Sequence, residues 1–159
     1  MNSAATRLWV LKLSLAVLAA YHLGVGVMTV VFPEASVAFG KRAYGLEVEF
    51  TPQYLYMLKA LGMYALFTGT LCAVALRDPL RHRSIVLAAV LLLAMRATTR
   101  LVFFDVAHDA FGVTWGRNLL NVGIMTLQAS SLWWGVGGLG EPAQRPAPAL
   151  PPGLLGSRV

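Results

Sequence analysis

Four long apolar runs constrain this chain more than any other feature of its sequence. They cover about residues 8–32, 54–76, 84–104 and 114–136. Each is roughly 21–25 residues long, which is enough for a helix to cross a hydrocarbon core of ~30 Å. Because backbone groups within lipid must be hydrogen bonded internally, helices are the expected form. The sequence therefore predicts an all-α polytopic membrane protein, a bundle of four transmembrane helices.

Composition agrees with this fold class. Of the 159 residues, 57% are hydrophobic and 13% are charged, which is about half the charged fraction of an ordinary soluble domain. The formal net charge of +6 does not indicate a nucleic-acid partner, because the basic residues flank the apolar runs instead of sharing one polar face. The expected partner is the lipid bilayer. The single cysteine, Cys72, permits no disulfide within the chain and completes no zinc motif, so no metal site is predicted.

The segments between and after the runs set the predicted domain organisation. Residues 1–136 form the transmembrane domain, and 137–159 form a flexible tail rich in proline and glycine. Residues 33–52 are predicted as the longest loop, 77–83 as a tight basic turn and 105–113 as a third connection. Basic residues predict the orientation, because cytoplasmic loops carry the excess of Lys and Arg. The richer side, which we expect to be cytoplasmic together with both termini, contains Arg7, Lys12, Arg77, Arg81, Arg83, Arg145 and Arg158.

Small residues predict how the first two long helices pack. Lipid tails are as apolar as leucine, so close helix contact in a membrane depends on small side chains. One stripe of such residues lies on the first helix and another on the second. They are Ala16, Ala20 and Gly24, and Gly62, Ala65, Gly69 and Ala73. We expect these two stripes to face each other within one protomer; a homodimer face is the alternative.

Two arginines inside the third apolar run predict a polar site. Arg96 and Arg100 are one helical turn apart and so share a face. They lie ~12 Å and ~6 Å inside the run at 1.5 Å per residue, and Lys59 lies ~8 Å inside its own run. A charge near the bilayer centre costs at least ~2.5–3.5 kcal/mol and should face the bundle interior. Because consecutive helices cross the membrane in opposite directions, the end of the third run and the starts of the second and fourth lie on one side. The candidate ligand-binding residues in that half of the bundle are Arg96, Arg100, Lys59, Arg117, Asn121 and His22.

Three functions remain open for this site. The first is a non-catalytic site for an anionic or quinone-like amphiphile headgroup, because guanidinium groups bind carboxylate, phosphate and carbonyl oxygens well. The second is an internal salt-bridge network, in which the structural charge partners are Glu47, Glu49, Asp105 and Asp109. The third is an enzyme or enzyme subunit acting on a quinone or lipid, with His22 as proton carrier. No catalytic residue is predicted, and the ligand considered in place of a cofactor is a bound quinone or lipid.

The second and third runs also resemble a known family. The second run reads L-Y-M-L-K-A-L-G-M-Y-A-L-F-T-G-T-L, an Arg-Asp-Pro turn follows, and the third run ends in M-R-A-T-T-R-L-V-F-F-D. This pattern, mainly within residues 54–105, resembles the small four-helix membrane proteins of bacteria called DoxX-like. The resemblance implies a multi-pass protein of the bacterial cytoplasmic (inner) membrane and an accessory role beside quinone-coupled oxidoreductases. It also implies that Lys59, Arg96 and Arg100 are the matched basic positions.

Overall fold

The computed structural model describes residues 3–138, and every regular element in this part of the chain is a helix. Four helices are long and two are short. In chain order they are α1 (Ser3–Val31), α2 (Pro33–Tyr44), α3 (Pro52–Arg77), α4 (Arg83–Val102), α5 (Phe104–Phe111) and α6 (Trp115–Gly137). The all-α fold class is confirmed, and each apolar run forms one long helix with ends within a few residues of those predicted. The predicted tail lies outside the described residues, except for Gly137 and Gly138.

Within residues 3–138, three helices are long and apolar enough to cross a membrane. They are α1 from Ala4, α3 and α4. The helix α6 is not one of them, and polar residues such as Asn121 and Gln128 interrupt its apolar sequence. Three apolar helices indicate a multi-pass membrane protein, and a crossing by α6 stays a prediction.

The long helices run alternately up and down around α1. The start of α1 lies beside the end of α6, as two contacts show. Gln128 Nε2 donates to the Ser14 carbonyl at 2.7 Å, and the Arg7 guanidinium lies 5.1 Å from the centre of the Trp134 ring. The helix α1 packs on α3 and α6, and α4 packs on α6, whereas α3 and α4 contact each other much less. The side of the bundle between α3 and α4 is therefore the loosely closed one.

Two glycines on α3 receive larger side chains of α1. A Cβ atom added to Gly69 would meet Leu23 at 2.8 Å, and one added to Gly62 would meet Val30 at 2.9 Å. These two glycines lie in the interface between the first two long helices, as predicted, and that interface is within one protomer. Since α3 supplies the small residues, the facing surface of α1 can carry bulky ones.

The prediction that a stripe of small residues on α1 faces α3 is wrong, because α3 supplies the small residues of this interface. Gly24 has no atom within 4 Å of an added Cβ, and Ala20 is exposed. The glycine that α1 does use is Gly26, where an added Cβ would lie 2.8 Å from the backbone nitrogen of Leu66. The interface is thus rotated around α1 relative to the prediction.

Two segments predicted as connections are helices. The helix α2 has Pro33 at its first position and basic residues in its last turn, and Gly45 follows with a left-handed φ of 72°, which are the usual signals of helix start and stop. The helix α5 is likewise followed by a glycine with a left-handed φ, Gly112 at 66°. We call the end of the bundle that carries α2 and α5 the capped end, and the opposite end the uncapped end. The prediction of plain loops at 33–52 and 105–113 is wrong for most of these residues.

Candidate functional site

A cavity of about 550 Å³ lies at the capped end, between α1, α2, α3 and α4. Its walls are mostly apolar, and its polar groups come from a few side chains. Those used below are Tyr21, His22, Tyr44, Arg96 and Arg100. Both arginines are half-buried. The structure therefore places the two guanidinium groups singled out in the sequence in one cavity.

Arg96 contacts His22 across the cavity. Its Nη1 lies 3.3 Å from His22 Nε2, and His22 Nδ1 lies 2.9 Å from the Leu18 carbonyl of its own helix. The backbone carbonyl can only accept, so Nδ1 carries the proton and Nε2 accepts from the guanidinium. His22 is only 5% exposed. Its ring is held in one orientation and supports a positive charge without cancelling it.

Arg100 is bound to α6 through Asn118. Its Nη1 donates to Asn118 Oδ1 at 3.2 Å, and Asn118 Nδ2 donates back to the Arg100 carbonyl at 2.9 Å. Asn118 is fully buried. This reciprocal pair fixes the end of α4 to the start of α6 and aims the rest of the Arg100 guanidinium at the cavity.

Tyr44, the last residue of α2, closes the cavity from above. The Arg100 guanidinium carbon lies 5.6 Å from the centre of its ring, within the range of a cation–π contact. Its hydroxyl is hydrogen bonded to that of Tyr21, whose ring meets the His22 ring edge-on at 5.1 Å. Burial, reinforced by the Tyr21 hydrogen bond, raises the pKa of Tyr44 above its usual range, although Arg96 and Arg100 act in the opposite direction. The phenol is therefore neutral at physiological pH.

Sequence reasoning misses Tyr44 because it assigns residues 33–52 to a loop. A signal is nevertheless present: Ser36, Gly40 and Tyr44 follow a spacing of four, between a proline start and a glycine stop. Ser36 and Gly40 are buried, and Ser36 Oγ is 2.9 Å from Thr29 Oγ1 on α1. That spacing is enough to place all three on the face of α2 that covers the bundle.

The other predicted ligand-binding residues lie at different distances from this cavity. Arg117 is exposed and donates to the Lys41 carbonyl at 3.3 Å. Asn121 is buried and donates to the Arg117 carbonyl of its own helix at 2.8 Å. Lys59 is exposed and is not among the described residues that line the cavity. The structure thus brings Arg96, Arg100 and His22 together, places Arg117 and Asn121 at the neighbouring start of α6, and leaves Lys59 apart.

The four predicted charge partners are all exposed. They are Glu47, Glu49, Asp105 and Asp109. Within residues 3–138, the side-chain hydrogen bonds of Arg96, Arg100 and Arg117 go to a histidine, an asparagine and a backbone carbonyl. All three partners are neutral, because the asparagine and the carbonyl carry no charge and His22 accepts through an unprotonated Nε2. The two cavity arginines are therefore held in place by groups that leave their charge available to a ligand.

A second cavity of about 550 Å³ lies on the other side of the same arginines, under α5. Leu46, Leu92, Arg96 and Arg100 line both cavities. Within the described part of the chain, no three His, Cys, Asp or Glu side chains are grouped closely enough to hold a metal ion. What the site offers is two fixed guanidinium groups in apolar surroundings.

Comparisons with known proteins do not assign this site. No family model, curated protein or solved structure matches the chain. The fold and the site define the protein by themselves, as an all-helical, multi-pass membrane protein with a basic cavity beneath a short capping helix.

Proposed function

We propose that this chain is a small accessory protein of the bacterial cytoplasmic membrane, with both termini cytoplasmic, that binds an anionic or quinone-like amphiphile headgroup without catalysing a reaction. The observation that carries the proposal is that Arg96 and Arg100 line one apolar-walled cavity while their side-chain hydrogen bonds go to neutral groups. A buried charge is costly unless it is compensated. A headgroup bearing oxygen atoms would supply that compensation, since guanidinium groups bind such oxygens in fixed geometry.

The resemblance to DoxX-like proteins supports the accessory role, because it links the chain to quinone-coupled membrane complexes. In such a complex the basic cavity would hold a lipid or quinone beside a partner subunit. In a homodimer, the second copy of the chain would take the place of that partner subunit. Both assemblies are compatible with the many exposed apolar side chains on α3, among them Tyr56, Tyr64 and Phe67.

One observation favours an enzyme as second candidate. His22 and the pair Tyr21–Tyr44 place exchangeable protons in the same cavity as the arginines, and histidine is the usual proton carrier at neutral pH. A membrane oxidoreductase acting on a quinone would need such groups next to the ring oxygens. A quinone-dependent activity that disappears in His22→Gln would favour this candidate over simple binding.

The internal salt-bridge network receives less support. It requires that the exposed carboxylates turn inward to the arginines, whereas the described hydrogen bonds of Arg96 and Arg100 are already made to His22 and Asn118. Stability measurements separate the two cases. Breaking a buried ion pair costs about 3–5 kcal/mol, whereas hydrogen bonds between helices in a membrane average about 0.6 kcal/mol.

The test compares Arg96→Gln with Arg77→Gln, because both remove one positive charge but Arg77 is exposed at the uncapped end of α3. Native mass spectrometry of the purified proteins detects bound lipid or quinone, and thermal unfolding reports stability. We expect the wild type and Arg77→Gln to retain an amphiphile, and Arg96→Gln to bind it roughly ten- to hundredfold more weakly, since a hydrogen bond to a charged group contributes about 1.5–3 kcal/mol. Equal retention by all three proteins would refute the proposal. A stability loss near 4 kcal/mol in Arg96→Gln, with no ligand found in the wild type, would instead favour the salt-bridge network.

A further inference from the structure

Another cavity adjoins the basic cavity along the side of the bundle. A third cavity, of about 250 Å³, lies between α3 and α4 on the way to the uncapped end. It shares Thr68 and Leu92 with the basic cavity. Its remaining lining is largely apolar and consists of Leu71, Cys72, Ser84, Ile85, Ala88 and Ala89. The two cavities therefore lie side by side along α3 and α4, with the arginines in one of them, and we call the two together the groove.

This groove opens sideways. Among its lining residues, Tyr64 is 71% exposed and Leu61 is 62% exposed, and α3 and α4 contact each other little compared with the other neighbouring long helices. Both helices are long and apolar enough to cross a membrane. In a bilayer, an opening between them faces acyl chains and not water, so a molecule already in the membrane can enter without leaving it.

The length of the groove fits an acyl chain. From Arg96 to Ser84 there are twelve residues along α4, which corresponds to ~18 Å at 1.5 Å per residue. One leaflet contributes about half of the ~30 Å hydrocarbon core. Because Arg96 itself lies ~12 Å inside its apolar run, a chain that follows the groove from the arginines would pass the middle of the membrane and approach the opposite interface.

Charge selects the headgroup at the other end of such a chain. Arg96 and Arg100 carry two positive charges, and their side-chain hydrogen bonds within the described residues go to neutral groups. Lys41 and Arg42 are exposed on the last turn of α2 and do not line the cavity, so they add only more distant positive charge at the capped end. A quinone offers carbonyl oxygens that accept hydrogen bonds from the guanidinium groups but leaves their net charge in place, whereas a phosphate or carboxylate also cancels that charge in a bidentate contact.

We infer that the site binds a membrane lipid with an anionic headgroup, which enters between α3 and α4, places its anion at Arg96 and Arg100, and lays one acyl chain along the groove towards Ser84. This inference rests on the proposed function and narrows its ligand from amphiphiles in general to anionic lipids. The bound headgroup lies deeper than those of the surrounding lipids, because Arg96 is several residues inside α4.

The test uses phosphatidylglycerol with a photoactivatable diazirine in the middle of one acyl chain, added to nanodiscs that contain the full chain. After illumination, mass spectrometry locates the cross-linked residues. We expect cross-links at groove residues such as Leu71, Cys72 and Ala88, and their loss when phosphatidylcholine carries the same probe. Cross-links of both lipids confined to outward-facing residues such as Val74 and Leu91 would overturn the inference, because they would show only the ordinary surrounding lipid.

Two tryptophan variants on α4 form a matched pair. Ala88→Trp fills the groove, whereas Leu91→Trp adds the same ring at a position that is 61% exposed and lies outside the described cavity linings. We expect Ala88→Trp to reduce groove cross-linking by phosphatidylglycerol to the level seen with phosphatidylcholine, and Leu91→Trp to leave it unchanged. Unaltered cross-linking in a folded Ala88→Trp would overturn the inference. Should Ala88→Trp fail to fold, the comparison of the two lipids in the wild-type protein decides alone.

Arg96→Gln separates this inference from the function on which it rests. Loss of bound phosphatidylglycerol in Arg96→Gln, together with unaltered cross-linking in Ala88→Trp, would keep the headgroup site and reject the groove. Unaltered binding in Arg96→Gln would reject both. A competition experiment distinguishes a lipid from a soluble anion. We expect millimolar inorganic phosphate not to displace the bound phosphatidylglycerol, and displacement would assign the site to a soluble anion.

Discussion

The two ends of the bundle are built from different interactions. At the uncapped end the interior is filled with apolar side chains, and Leu11, Leu15 and Leu132 are all fully buried. At the capped end the buried side chains include His22, Asn118 and several other polar ones, and the interior contains the cavities. Within the described residues, every buried side-chain nitrogen and oxygen atom has a hydrogen-bond partner. Between α1 and α6 the uncapped end is thus filled by packing, although the third cavity reaches this end between α3 and α4. The capped end is organised by hydrogen bonds around open space.

This difference has an energetic meaning in a membrane. Helices surrounded by lipid gain little from burying leucine, so their association depends on close packing, and hydrogen bonds between them average only about 0.6 kcal/mol. The filled end and the tight α1–α3 contact should therefore provide most of the stability. The capped end can then contain cavities and uncompensated charge without unfolding the bundle.

The largest expected effect is at the filled end. Leu132→Ala removes a fully buried side chain from α6. Large-to-small substitutions in a core cost about 2–5 kcal/mol, and the lower end of that range applies in a membrane, because the unfilled cavity contributes and transfer from water does not. Leu127→Ala on the same helix is the control, because Leu127 is 70% exposed. Unfolding titrations in mixed micelles measure both. Equal stability of the two variants would contradict the distinction between the ends.

A middle-sized effect is expected at the contact between α1 and α3. An added Cβ at Gly26 would lie 2.8 Å from the Leu66 backbone nitrogen and 3.0 Å from the Gly62 carbonyl oxygen, and neither backbone atom can move away easily. Overpacking of this kind costs about 1–3 kcal/mol, so Gly26→Ala should lower the free energy of unfolding. Gly24→Ala is the matched control, because it makes the same change where no atom is within 4 Å. It should be neutral or slightly stabilising, since alanine is the better helix former by about 1 kcal/mol. A tolerated Gly26→Ala would show that the two helices can separate without loss.

The long helices could be predicted from the sequence because hydropathy and length act locally. Each apolar run is long enough for a span, and its ends follow from Pro33, Pro52 and the basic turn near Arg83. The same reasoning finds Arg96 and Arg100, because a charge inside an apolar run is visible without any structure. The composition of α6 is less decisive, because it includes polar residues that bond to neighbouring helices: Asn118 contacts α4 and Gln128 contacts α1.

The details of the site could not be predicted because they depend on the rotation of whole helices. The small residues of α1 fall on two faces, and nothing local distinguishes Gly26 from Gly24 until Leu23 is seen against Gly69. The partner of Arg96 is 74 residues away in sequence, and no spacing rule links the two. The helix that covers the cavity could be predicted from the proline at its start and the glycine at its end. Its polar composition nevertheless also suits a loop, which is why the sequence alone favours a loop there.

The smallest expected effect is at Tyr44, where the cap meets the site. Tyr44→Phe removes its hydrogen bond to Tyr21 and keeps the ring against the Arg100 guanidinium. One hydrogen bond contributes about 0.5–1.5 kcal/mol net, so stability at neutral pH should fall by no more than that. Tyr56→Phe is the control, because Tyr56 is 78% exposed.

The pH dependence of this pair gives a sharper readout than its size. Since burial raises the pKa of Tyr44 in the folded protein, the unfolded chain releases this proton first, at its ordinary pKa of about 10. The stabilising contribution is therefore complete below about pH 10 and is lost as the pH rises above that value. Unfolding measurements at successive alkaline pH values should show a steeper loss of stability for the wild type and Tyr56→Phe than for Tyr44→Phe. Equal slopes in all three proteins would mean that the capping helix leaves Tyr44 open to water, and the cavity beneath it would then be no closed site.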